Sequence, residues 1–262
     1  EFRESTSLFQ IWLLFRQNRV ALFSFYLFFI LILVALFPKL IMPYSESMEF
    51  VGEELMPPSW VAEGKIAFFF GTDDLGRDLL SRLIMGTRYT LGSSLVVVLL
   101  AALIGGSLGI LAGMTGGIKS RILGHIFDAF LSIPILLIAI IISTLMEPSL
   151  INAMFATLLA ILPYFIHAIA QAVQQELSKD YVVGAKARGI KFSRTLWGSV
   201  MKASLVTIIT LLMLSVGSLL GGTAIVESIF MWDGVGKMAV DAISMRDYPI
   251  IQAYVMWMAI IY

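Results

Sequence analysis

The chain has 262 residues, 59% of them hydrophobic and only 14% charged, with a mean hydropathy of +0.91, more apolar surface than a soluble domain of this length needs. Eighteen Lys and Arg balance eighteen Asp and Glu, and the zero formal net charge argues against a nucleic-acid partner. The absence of cysteine excludes disulfides and thiolate metal sites, and two histidines, His125 and His167, are too few for a histidine metal cage.

A bilayer-crossing helix needs roughly 20 apolar residues. Val20 to Phe37 qualifies, as do Leu91 to Ala112, Ile126 to Leu145, Leu150 to Ala170 and Leu205 to Ile225. Ile250 to Tyr262 is a sixth apolar run, cut short by the end of the sequence. The expectation is an all-α polytopic membrane protein of about six transmembrane helices. No small-residue cleavage site follows the first run, so a removable signal peptide is not expected.

Loop charge sets the orientation. With the N-terminus inside, the inner segments hold Arg3, Arg16, Arg19, Lys119, Arg121, Lys179, Lys186, Arg188, Lys191, Arg194 and Lys202. The outer segments then hold the smaller set, Lys39, Lys65, Arg77, Arg82, Arg88, Lys237 and Arg246. This divides the chain into a cytoplasmic segment (1–19), a first transmembrane helix (20–41), an outer segment (42–90) and a transmembrane core (91–262) with an inner loop at 171–204. Pro43, Pro57 and Pro58 make the first part of the outer segment irregular, and Leu79 to Arg88 is expected as a separate amphipathic helix at the outer interface. A second outer segment, Val226 to Pro249, carries Trp232, Gly234 and Gly236.

Within the second span, Gly105, Gly109 and Gly113 recur every four residues along one helix face, with Gly117 just beyond. Small residues at this spacing let another helix approach closely. They predict a joint within the bundle or with a partner subunit, or ordinary bundle packing. Asp128 lies about one turn from the inner boundary and is expected to pair with Arg121, while His167 is expected to be a satisfied structural residue. Pro134 and Pro163 are expected to kink their helices. Ionisable groups are scarce within the spans, which weakens the case for an ion-coupled secondary carrier. Ser143, Asn152, Thr157 and Ser215 are the scattered polar groups available to line a path.

The loop DYVVGAKARGIKFSRTLWGS at 180–199 is basic and amphipathic, and it contains no nucleophile, histidine or carboxylate pair. Its stretch Tyr181-Val182-Val183-Gly184-Ala185-Lys186-Ala187-Arg188-Gly189 resembles the cytoplasmic signature of permease subunits in binding-protein-dependent ABC importers of the dipeptide, oligopeptide and nickel branch. It departs from that pattern at Gly184, where alanine is usual. A second stretch, Gly71-Thr72-Asp73-Asp74-Leu75-Gly76-Arg77-Asp78 followed by Ser81-Arg82, is similar to the outer segment after the first span in one of the two permease subunits. From about residue 55 to 183 the chain is most similar to the C subunit of Sap-type peptide permeases. Glu227-Ser228-Ile229-Phe230, Gly234-Val235-Gly236 and Arg246-Asp247-Tyr248-Pro249 are closer to the sister subunit.

The resemblance implies a type I ABC importer permease fold in the bacterial inner membrane. It implies a second homologous permease, two cytoplasmic ATPases that carry ATP and Mg, and a periplasmic substrate-binding protein as partners, with no cofactor, metal or catalytic residue on this chain. The 180–202 loop would be a coupling segment of two short helices hinged at Gly189. Val182, Val183, Ala185 and Ala187 would give it apolar contacts, and Lys186, Arg188 and Lys191 would meet acidic groups. The implied cargo is a peptide, with nickel or another metal chelate as the alternative within the branch. An ion-coupled carrier or a non-transporting scaffold would lack the ATPase partners.

Overall fold

The structure, a computed structural model, describes residues 13, 15–45, 48–115 and 118–262, without the side chains of 118–121, 123 and 128. Helix α1 (Arg19–Leu36) opens on Asn18, whose side chain accepts from the amides of Val20 and Ala21. Phe37 breaks it, and Pro38 starts the one-turn helix α2 (Pro38–Ile41). After an irregular stretch come α3 (Leu79–Met114), α4 (Ile118–Leu131), α5 (Ile135–Leu145) and α6 (Leu150–Leu177). The 180–199 loop contributes α7 (Asp180–Ala187) and α8 (Phe192–Thr195), and a single π turn (Leu196–Val200) runs on into α9 (Met201–Gly222). Helices α10 (Ala224–Ile229), α11 (Val235–Met245) and α12 (Tyr248–Ile261) complete the described chain. The described residues contain no strand, only an isolated bridge between Thr72 and Asp78.

Four helices among the described residues are long and apolar enough to span a membrane: α1, α3, α6 and the continuous Phe192–Gly222 helix. Gly124–Leu131 and Ile135–Leu145 make a fifth if counted as one span, but they meet at 78°. The chain is therefore an all-α polytopic membrane protein. Helices stand at all six expected positions, although α12, at 14 residues, is shorter than a full crossing. The spans turn apolar side chains outward: Phe23, Phe29, Leu103, Leu111, Val206 and Met213 are all exposed, as lipid-facing residues should be.

Three boundaries differ from expectation. Leu79 to Arg88 is no separate interfacial helix; it is the beginning of α3, which has 36 residues. At about 1.5 Å per residue that is roughly 54 Å, well beyond a hydrocarbon core of about 30 Å. The third apolar run is two helices, because Pro134 has no amide to continue the ladder and sits as the N-cap of α5. Pro163, by contrast, lies inside the uninterrupted α6. The fifth span begins at Phe192, well before Leu205. Asp128, Arg121 and Gly117 lie outside the described residues or side chains, and so does the expected Asp128–Arg121 pair. His167 bonds Gln171 one turn away at 2.7 Å, a structural partner of the expected kind.

Contacts divide the chain into two compact units. One comprises residues 1–88 and 247–262, the other 89–246. In the first, the segment between α2 and α3 folds on itself and α12 joins it: Trp257 Nε1 donates to Thr87 Oγ1 at 2.7 Å, and the Trp257 ring meets Phe70 edge-on. In the second, α6 is the central helix. It packs on α4, α5 and α9 and buries Ala156, Phe165, Ile169 and Val173.

Candidate functional site

The 180–199 loop is a helix, a tight turn and the start of a long helix. Helix α7 begins with Asp180 in its first turn and Lys186 in its last, the charge order the helix dipole favours. It ends where Gly189 takes φ = +76°, a left-handed conformation open to glycine and costly for a β-branched residue. The Gly189 amide donates to Lys186 O at 3.0 Å, and the Ile190 amide to Ala185 O at 3.1 Å. This pair of bonds is a Schellman closure with Gly189 at the left-handed position. Arg188 reinforces the end by donating from Nε to Gly184 O at 3.1 Å.

Two details correct the reading from sequence. The element is not two short helices, because the helix beyond Gly189 runs from Phe192 into the span without a break. Ala185 is buried and so offers no apolar contact to a partner. The exposed residues of α7 are Asp180, Tyr181, Val183, Lys186 and Ala187, followed by the exposed cap Arg188, with Val182 and Gly184 half-buried. Tyr181 is tethered to Glu176 at 3.2 Å, and Glu176 also takes Lys179 at 2.5 Å. Beyond the turn, Ile190, Phe192 and Trp197 are exposed too. A short helix closed by glycine, with Lys186, Arg188 and apolar side chains exposed around its end, is suited to being gripped by another protein.

The GTDDLGRD stretch at 71–78 plays a different part. Asp73 is fully buried and accepts four bonds. Its Oδ1 takes the amides of Leu75 (3.0 Å) and Arg77 (2.9 Å), and its Oδ2 takes Arg77 Nε and an Arg82 guanidinium nitrogen, both at 2.7 Å. Thr72 Oγ1 donates to Glu53 O and accepts from the Met56 amide at 2.9 Å. Gly71 has φ = +88° and its α-carbon lies against Met56 O, where a Cβ would clash with the backbone. Gly76 is pressed in the same way, with a virtual Cβ 2.5 Å from Gly52 O. Asp78 Oδ2 accepts from both the amide and the hydroxyl of Ser81 at 2.8 and 2.6 Å, which starts α3. Burial pushes the Asp78 carboxyl above the usual carboxylate range, against the opposing pull of the Ser81 bonds. These residues tie residues 50–56 to the start of α3, and of the two central aspartates only Asp74 is exposed.

Gly105, Gly109 and Gly113 all face α6. A Cβ on Gly105 would come within 2.8 Å of Phe165 Cβ, one on Gly109 within 2.8 Å of Ile166 O, and one on Gly113 within 2.8 Å of Ala170 O. This face is an internal joint of α3 with α6.

Reading by spans overlooked Glu227 as a centre. It lies at the end of an apolar run, yet it is buried and organises α10 and α11. Its Oε1 accepts from Thr90 Oγ1 (2.9 Å) and Thr223 Oγ1 (3.0 Å), and its Oε2 from the Lys237 amide (2.9 Å). Thr90 Oγ1 also accepts from the Val235 amide at 3.1 Å. Gly234 lies against this carboxylate, where a Cβ would fall 2.5 Å from its carbon. The available signal was an acid closing an apolar run, with glycines seven and nine residues downstream.

Residues 105–262 match the family described as binding-protein-dependent transport system inner membrane component, and the chain belongs to that family. Residues 7–58 match the N-terminal TM domain of oligopeptide transport permease C. The chain is 73% identical over 190 residues to the peptide transport system permease protein SapC of Haemophilus influenzae, covering 72% of this chain and 64% of that protein. It is 47% identical over 171 residues to the SapC protein of Escherichia coli, covering 64% and 58%. To the dipeptide transport system permease protein DppC of Haemophilus influenzae it is 35% identical over 196 residues, covering 75% and 66%. The chain thus spans less than two thirds of the length of these relatives.

Proposed function

We propose that this chain is one of two permease subunits of an ATP-driven importer, and that it moves peptides inward across the inner membrane by alternating access. The observation that carries this reading is α7 with its Gly189 closure and the exposed Lys186 and Arg188 at its end, in a member of the family. Two cytoplasmic ATPases bind there and hydrolyse ATP with Mg, so that this chain performs no catalysis and holds no cofactor. Tyr181, Val183, Lys186, Ala187 and Arg188 form the docking face, while Val182, Gly184, Ala185 and Gly189 shape it. A homologous permease completes the path and a periplasmic binding protein delivers the cargo. The names of the relatives, peptide and dipeptide permeases, favour peptide over nickel.

The N-terminus is placed in the cytoplasm, with 42–78 and 227–249 outside. The test is co-purification of the ATPase subunits with the full-length permease, together with hydrolysis stimulated by the binding protein. An isolated permease that transports under an ion gradient alone would overturn the proposal. Single cysteines at Glu63 and Lys191 test the orientation: an impermeant thiol reagent applied to intact spheroplasts must label position 63 and spare 191.

A further inference from the structure

Beside the Glu227 carboxylate lies a small cavity of about 20 Å³, whose polar wall comes from Ser93, Ser94, Thr157, Thr223, Glu227 and Trp232. Ser93 Oγ is committed to Thr90 O at 3.1 Å. Three donors already converge on Glu227, and Thr157 Oγ1 is committed to Ala153 O at 2.8 Å. Two donors on this wall are not committed. Ser94 is 2% exposed, and neither its hydroxyl nor the shielded Trp232 Nε1 has a hydrogen-bond partner among the described residues. The Trp232 ring is fixed by an edge-on contact with Tyr89, centroids 4.9 Å apart, and its backbone amide by Glu227 O at 2.8 Å. Buried donors left without acceptors are rare in native proteins because each forfeits its hydration for nothing in return.

The wall dictates the chemistry of the acceptor that would satisfy them. An indole N–H only donates, so it turns away a cation. A carboxylate that has gathered three donors disfavours an anion beside it. The room is about what a single water-sized group requires. We propose that this cavity is a binding site for one neutral acceptor oxygen, either a resident water or a main-chain carbonyl of the peptide in transit. The second source rests on the peptide-permease proposal; the first does not. An oxygen there joins Ser94 on α3 to Trp232 in the turn between α10 and α11, alongside the direct Thr90–Glu227 bond.

The test uses Ser94→Ala, Trp232→Phe and the double variant, each in the full-length permease assembled with its partner subunits in lipid nanodiscs. Melting temperature is read without peptide, and peptide uptake is read in matched vesicles. A resident water predicts that each single variant melts lower and that the double variant loses less than the sum, because both donors share one oxygen. A substrate carbonyl predicts unchanged melting without peptide but a half-saturating peptide concentration raised about fivefold in either variant, the equivalent of one hydrogen bond. Variants that melt at or above wild type with unaltered uptake would show idle donors and overturn the proposal, as would strictly additive losses. Wild-type assemblies that retain no ATPase and take up no peptide would refute the transport reading instead, while the melting comparison still decides whether the oxygen site exists.

Discussion

Replacing Gly109 with alanine adds one methyl group at the closest approach of α3 to α6. That carbon would sit 2.8 Å from Ile166 O and 3.0 Å from Ile169 Cβ, nearer than real Cβ contacts come. The obstructing atom is a backbone carbonyl, which moves only if α6 moves with it. Overpacking of this kind costs about 1–3 kcal/mol. Gly106 is the control, one residue short of a full turn earlier on the same helix. A Cβ there would meet only Ile169 Cδ1, at an ordinary 3.6 Å. Gly106→Ala should therefore keep the helix-propensity gain of about 0.5–1 kcal/mol with little offset. Gly109→Ala carries the same propensity gain, so Gly106→Ala should be the more stable of the two by the overpacking cost alone, about 1–3 kcal/mol. Thermal unfolding in detergent, followed by size-exclusion recovery, reads this order directly. If Gly109→Ala melts level with Gly106→Ala, the glycine face is not a backbone contact and the account of the joint is wrong.

Gly189→Val should strain the left-handed turn by about 1–3 kcal/mol and tilt α7, leaving the spans inserted; pull-down of the ATPases together with uptake measures it, and full recovery of both would contradict the hinge. Asp73→Ala strips the acceptor from two guanidinium groups and two amides, an expected loss of roughly 3 kcal/mol, moderated because the arginines reach water. Faster proteolysis of residues 48–78 in spheroplasts is the readout, and wild-type resistance would count against the tie. Burial raises the Asp78 pKa, so the folded state favours its protonated form. Its contribution to stability is therefore greatest at low pH, below the unfolded value near 3.8, and is lost as pH rises through the raised folded pKa. Asp78→Asn should flatten the pH dependence of melting above that value; an unaltered slope would mean that Asp78 does not titrate there.

The positions of the helices were legible because lipid imposes a rule that acts on each segment alone: about 20 apolar residues, with every backbone bond satisfied internally. The glycine spacing and the need for glycine at 189 were legible for a similar reason, since helix periodicity and local backbone geometry belong to short stretches. Helix ends were not. Leu79 to Arg88 is polar enough to look like an interfacial piece, yet nothing in it stops a helix, and Asp78 with Ser81 sets the start. Ala185 reads as a contact residue until neighbouring elements cover it. Asp73 gathers donors that lie within nine residues of it, Leu75, Arg77 and Arg82, but its complete burial is not written in that stretch. The buried position of Glu227 depended on a partner far away in sequence, Thr90, 137 residues earlier. Such a convergence of distant donors on one carboxylate is a property of the tertiary fold.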